Sequence, residues 1–359
     1  MEIGIIGLPK SGKTTVFNAL TRGKAETGAY AAGGPNVGVT KVPDPRLEAL
    51  DKMFQPERKV AAEVRYVDVA APTKKELSGQ YLAHLSKADA LLHVVRAFED
   101  EKVPHIDGSI NPERDIATLD LELAFSDLSI LKKRLQKIET SLKGAKAHER
   151  EAFSKEQALL ARIKTSLENE VPIREQDLSE DEKKTISSYQ FLSAKPLLTV
   201  LNIGEEMLPE ASSLEEEWRT RYQRPQLEVA VLCGKLEMEL AQLDDADAEE
   251  FRSTMGVTES ALNRIIRLSH DLLGLISFFT VVSDEVKAWT IRRETTAVQA
   301  AGKIHTDMER GFIRAEVIGY EDLVECGSIA EGRKKGLLHT EGKSYVVEDG
   351  DVITFLFNI

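Results

Sequence analysis

A lysine and a threonine, Lys13 and Thr14, close the run "GLPKSGKT" that begins at Gly7. Its spacing is G-x-x-x-x-G-K-[ST], with an apolar strand pattern before it and an amphipathic helix pattern, "KTTVFNALT", after it. The chemistry such a run performs is phosphate binding. Gly7 and Gly12 let the backbone bend so that its N–H groups face phosphate oxygens. The start of the helix adds a favourable partial charge. Lys13 is placed to reach β- and γ-phosphates, and the Thr14 hydroxyl to take a Mg²⁺ position. The expected phosphate-binding residues are Lys10, Ser11, Gly12, Lys13, Thr14 and Thr15. Asp68, at the end of the strand-like "YVDVA", is expected to hold the Mg²⁺ shell through water, beside Thr14. No residue stands out as a catalytic base.

The nucleobase is expected at a second place. GTPases commonly carry N-K-x-D after a strand, where the Asp accepts two hydrogen bonds from guanine. Here the strand "LLTVLNI" leads into "NIGE", so Asn202 is present, Ile203 replaces the Lys, and the acid is Glu205. An Asn amide can donate to adenine N7 and accept from its N6–H. Without the Asp, the pairing that would favour guanine is missing. Gly234, in the "CGK" that follows the next strand, is expected to close over the base. The expected base-binding set is Asn202, Ile203, Glu205 and Gly234, with ATP or GTP as ligand.

Strands and helices must carry these loops. Short, nearly continuous apolar strands are expected at "IGIIG", "EVRYVDVA" (Glu63 to Ala70), "ALLHVV" (Ala90 to Val95), "PLLTVLNI" (Pro196 to Ile203) and "LEVAVLC" (Leu227 to Cys233). Separated by helical stretches, they predict an α/β fold with a parallel sheet covered on both faces. Between the third and fourth, Leu121, Ala124, Leu128, Leu131, Leu135, Ile138 and Leu142 recur at steps of three and four. The seam resumes after Gly144 with Phe153, Leu160, Ile163 and Leu167, and stops at Pro172. This heptad pattern predicts an antiparallel helical coiled-coil arm, inserted over 118–190. Its first helix, Asp115 to Lys143, would be about 43 Å long at 1.5 Å per residue. From Phe278 the pattern alternates, around one helical segment, "TTAVQAAGKIH", and predicts a β-grasp-like module over 278–359. Residues 1–277 then form the phosphate-binding domain.

Composition narrows the classes. The 359 residues are 42% hydrophobic and 30% charged, as in a globular chain, and the net charge is −13. That charge speaks against coating DNA or RNA by bulk attraction. The longest apolar stretch, Leu272 to Val282, is too short for a membrane span, which needs about 20 residues. The two cysteines, Cys233 and Cys326, have no metal-ligand spacing and fit a reducing cytosol. No leader pattern precedes the first strand, so the expected location is cytoplasmic, with no membrane and no DNA partner.

The motifs together resemble the YchF family, the Obg-like ATPases of the translation-factor GTPase class. The likeness covers essentially the whole chain and rests on "GLPKSGKTTVFNAL", "PNVGV…VPDPRLEAL", "HVVRAFED", "NIGE", "VLCGKLEMELA", "AWTIRR…AGKIHTDMERGFIRAEVI…YEDL" and "EGKSYVVEDGDVITFLFN". It implies a P-loop G domain with an inserted coiled-coil arm and a C-terminal TGS domain of β-grasp fold. It also implies a preference shifted from GTP toward ATP and association with ribosomes. Two motifs depart from the family. The switch I run, usually "CTIEPN"-like with a metal-binding Thr, reads "YAAGGPN" (Tyr30 to Asn36). The switch II D-x-x-G reads "DVAA", with Ala71 in the Gly position and Pro72 after it. Slow hydrolysis is therefore expected. Two other readings stay open, a nucleotide sensor that does not hydrolyse and an RNA-binding adaptor acting through the TGS domain. Against the second, residues 278–359 hold 10 Lys/Arg against 14 Asp/Glu.

Overall fold

The computed structural model describes every residue except 24, 26–34, 70–78, 255–259, 283 and 359. The chain forms two compact units, residues 1–38 with 65–265, and residues 39–64 with 266–359. In chain order the elements begin β1 (Glu2–Ile6), α1 (Lys13–Thr21), β2 (Asn36–Lys41), α2 (Pro45–Phe54), β3 (Arg58–Val60), β4 (Glu63–Asp68), α3 (Gly79–Leu85) and β5 (Ala90–Ala97). Next come α4 (Pro112–Leu142), α5 (Ala147–Glu168), α6 (Glu180–Ile186), β6 (Leu197–Ile203), α7 (Ala211–Arg221), β7 (Leu227–Leu232), α8 (Gly234–Leu240), α9 (Asp245–Thr254) and α10 (Ala261–Leu272). The chain continues with β8 (Leu275–Val281), β9 (Glu285–Arg292), α11 (Ala297–Ile304), β10 (Phe312–Gly319), β11 (His339–Glu341) and β12 (Asp351–Phe357), with short helical turns between.

The first sheet runs β2-β4-β1-β5-β6-β7, and β4, β1, β5, β6 and β7 are mutually parallel. Strands β5 and β6 are apolar and buried almost throughout, as a sheet covered on both faces requires. All five strands expected from the sequence are present. The edge strand β2 was not anticipated.

Helix α4 starts earlier than expected. Asn111 caps it by accepting from Arg114 N at 3.0 Å, and Pro112 follows, where a missing N–H costs nothing. Its first turns, through Ile116, Leu119 and Leu123, pack on the sheet core. Beyond Asp127 the buried face turns to α5, joining Leu128, Leu131 and Ile138 to Leu160, Ile163 and Leu167. Leu121 is a correction to the expected seam, being 39% exposed with Phe125 60% exposed one turn on. It lies two residues past Leu119, roughly 200° around the helix, and so faces away from the sheet. Arg134 and Glu156 pair across the two helices at 2.7 Å. Buried Asp127 fixes the return of the chain, accepting from Leu192 N (2.9 Å) and Ser193 N (2.7 Å).

The second unit departs from the expected boundaries. Its sheet runs β11-β10-β12-β8-β9-β3. Residues 39–64, read from the sequence as part of the first domain, supply β3, which pairs parallel to β9 from Arg58↔Glu285 to Val60↔Lys287. They also supply α2, with Leu47 and Leu50 buried. Arg46 anchors that segment. Its guanidinium reaches Asp44 (2.9 Å) and Asp349 (2.8 Å) and lies over the Phe279 ring at 5.3 Å. Helix α11 seals one face of the sheet, with Ala297, Ala300 and Ala301 against Phe278, Phe312 and Phe355.

Candidate functional site

The loop from Gly7 to Thr14 leaves β1 and enters α1 in a conformation that only certain residues tolerate. Gly7 and Gly12 have φ of 149° and 94°, and Lys10, an ordinary residue, sits in the left-handed region at 65°. A Cβ on Gly12 would collide with the Asn202 amide, and one on Gly7 with the Val94 carbonyl. No side chain caps the start of α1, so the N–H groups of its first turn, from Lys13 to Thr15, are left to an external acceptor. Ser11 is buried, Thr15 half-buried and Lys10 exposed.

Lys13 is buried beneath this loop, and its ammonium donates to the carbonyls of Gly7 (3.0 Å) and Leu8 (2.8 Å). Burial pushes it down to about 8, partly offset by the Asp68 carboxylate. A triphosphate needs the charged form. Affinity for ATP should therefore be flat below pH 8 and fall about tenfold per pH unit above it, because binding must then return a proton to Lys13. Calorimetric titration between about pH 7 and pH 10 checks this, and a flat profile would contradict it. Beside Lys13 on β5 lies His93, in register with Ile6. Burial, then Lys13 and Arg174, push its imidazole down to about 3, so it stays neutral near pH 7.

The two expected metal residues meet. Thr14 Oγ1 donates to Asp68 Oδ2 at 2.8 Å, with Asp68 buried at the end of β4. Asn36, at the start of β2, approaches the same oxygen through Nδ2 at 3.4 Å. Sequence reasoning missed Asn36, because its place depends on β2 lying beside β4. A hydroxyl and a carboxylate side by side at a phosphate loop are the hard oxygen donors that suit Mg²⁺. The expected switch residues at 30–34 and 70–72 lie outside the described residues, while Pro35 is described.

The base-side residues are brought together, with a change of role for Asn202. Its Nδ2 donates to Ser11 O at 3.0 Å and its Oδ1 accepts from Gly234 N at 2.9 Å. The amide expected to pair with adenine is committed to the backbone, and it ties the phosphate loop to the β7–α8 turn. Ile203 is buried in the sheet core, so its side chain is not available to a ligand. Glu205, just beyond Gly204, pairs with Lys235 at 3.0 Å, and both are half-exposed or more. A separate polar cluster opens α4, where His105 Nε2 meets Asp115 Oδ2 at 2.8 Å and Arg114 meets Asp115 Oδ1 at 2.9 Å. Asp107 lies near it. Arg114 already balances these carboxylates, so the cluster reads as a helix-start network.

A parallel sheet with this loop at its first strand, and Lys13, Thr14 and Asp68 converging on it, defines a P-loop nucleotide-binding domain. Residues 2–127 match the family model described as 50S ribosome-binding GTPase, and residues 275–358 match YchF-GTPase_C, described as a protein of unknown function. The chain is 38% identical over 368 residues to the Ribosome-binding ATPase YchF of Bacillus subtilis, covering 100% of both. It is 39% identical to the protein of the same name from Pasteurella multocida, covering 100% of this chain and 99% of that one. The solved structure of the Schizosaccharomyces pombe YchF GTPase superposes with a TM-score of 0.88 at 32% identity, covering 99% of this chain and 97% of the other. The chain belongs to the YchF family. No helix among the described residues is long and apolar enough to cross a membrane.

Proposed function

We propose that this chain is a cytoplasmic, ribosome-associated nucleoside triphosphatase that binds ATP at least as well as GTP, with Mg²⁺, and hydrolyses it slowly. The observation that carries this reading is the convergence of Lys13, Thr14 and Asp68 under one loop. Lys10 to Thr15 would bind the phosphates, and Thr14 and Asp68 would hold the metal. Bound Mg²⁺ would neutralise charge on the β- and γ-phosphates. The preference for ATP rests on the sequence, in which no Asp stands where guanine would be read; the Asn202 amide, tied to Ser11 O and Gly234 N, does not add to it. The relatives' names supply the ribosome as partner.

The α4–α5 hairpin fits the coiled-coil arm, and the second sheet with α11 fits a TGS domain of β-grasp fold. Together they are the ribosome-facing parts of this reading. Both switch sequences lack the groups that complete a metal shell and place a water. Intrinsic hydrolysis should therefore be on the order of 10⁻³ s⁻¹ or below, near unassisted enzymes of the Ras type.

The test titrates ATP and GTP into purified protein, then follows single-turnover cleavage with and without ribosomes. A tenfold preference for GTP, about 1.4 kcal/mol, would reject the base reading. Fast cleavage by the isolated protein, lost in Lys13→Ala, would reject slow hydrolysis. Replacing 132–158 with a short flexible linker should spare ATP binding and weaken co-sedimentation with ribosomes. That cut leaves Asp127 in place. Unchanged co-sedimentation would make the arm purely structural.

A further inference from the structure

Three loops meet at Asn202: the phosphate loop through Ser11 O, the β7–α8 turn through Gly234 N, and the β6 end that carries Asn202 itself. In an open parallel sheet, ligands bind beyond the carboxyl ends of the strands. A nucleobase continuing from the phosphates would therefore lie against the residues that follow β6 and β7. Two charged side chains stand there. Glu205 follows Gly204 at the end of β6, and Lys235 follows Gly234 at the start of α8, their charged ends 3.0 Å apart. The neighbouring acid, Glu206, folds its carboxylate back over Gly204.

A carboxylate at this position is not neutral toward the base. Guanine offers N1–H and N2–H, which a free carboxylate can accept together. Adenine offers an N1 lone pair, which the same carboxylate repels. Resting on the nucleotide-site reading above, we infer that Lys235 is a specificity-determining residue. By holding the Glu205 carboxylate it withholds the acceptor that guanine would use and removes the repulsion that adenine would meet. Glu239, one turn along α8, also acts on Lys235 and can hold the lysine when Glu205 is gone.

Exposed ion pairs are weak, so the effect is a modest shift, roughly two- to fivefold in the ratio of GTP to ATP affinity. The experiment measures Kd for ATP and GTP by calorimetry in the wild type, Lys235→Ala, Glu205→Gln and the double variant, at low and high salt. Lys235→Ala should raise the ratio, and adding Glu205→Gln should cancel the rise. Salt should move the wild-type ratio toward that of Lys235→Ala and leave the variant unmoved, because screening weakens only a pair that exists. A ratio unchanged in Lys235→Ala, or a parallel fall in both affinities, overturns the inference. Wild-type protein that binds neither nucleotide would overturn the phosphate-site reading first, and that result is distinct from an unmoved ratio.

Discussion

Lys13→Ala should weaken ATP binding by roughly 100-fold or more, without unfolding the protein. Removing one partner of a buried charge pair costs about 2–5 kcal/mol, and here the missing partner is, among the described residues, the cation buried under the loop that the phosphates would meet. The lysine is held ready by two carbonyls of that same loop, Gly7 and Leu8, so its ammonium is positioned before any ligand arrives. Calorimetry gives the affinity and circular dichroism the fold. A folded variant with wild-type affinity would remove the phosphate loop from the site altogether.

Asp127→Ala should destabilise the first unit by about 3–5 kcal/mol, because two buried N–H groups lose a charged acceptor and find no water. The carboxylate is fully buried, and it takes the amides of Leu192 and Ser193 at the point where the chain returns from the helical hairpin to β6. Burial pushes Asp127 up to about 6, against the pull of those hydrogen bonds, so at pH 7 it is still mainly ionised. The measurement is urea unfolding followed by fluorescence. A loss below about 1 kcal/mol would show that the return strand is held by its apolar contacts alone.

The local parts of this molecule were legible in the sequence, and the assembled parts less so. "GLPKSGKT" announces its own geometry, because the spacing of its glycines already dictates the turn that the chain makes. Asp68 was legible for a similar reason, standing at the end of an apolar strand. Asn36 was not, since nothing in "GGPNVG" reveals that β2 lies beside β4. Asn202 was picked out by residue type, but its amide has several possible partners. Only the folded chain shows that Ser11 and Gly234 take them. Leu121 misled because a heptad drawn through one helix takes no account of which surface covers its first turns. Heptad positions further along, such as Leu131 and Ile138, are buried in a cluster shared with Leu160, Ile163 and Leu167 of α5 and with Leu178, Ile186 and Phe191 beyond it. The strand β3 has three residues and no apolar alternation, so no periodicity could reveal it.

The shared ownership of the second sheet has a consequence for how the protein is made. Residues 39–64 are synthesised well before the strand β9 that receives β3 and the Asp349 that receives Arg46, both of which come from beyond residue 265. At about 5–20 residues per second, roughly 10–60 s of translation separates them. For that interval Leu47 and Leu50 have no native partner from the C-terminal segment, and a ten-residue helix such as α2 is only marginal on its own. The nascent chain therefore cannot complete its folding segment by segment from the N-terminus. A C-terminal fragment expressed alone would lack an edge strand and a covering helix, and only supplying residues 39–64 as a separate peptide would restore them.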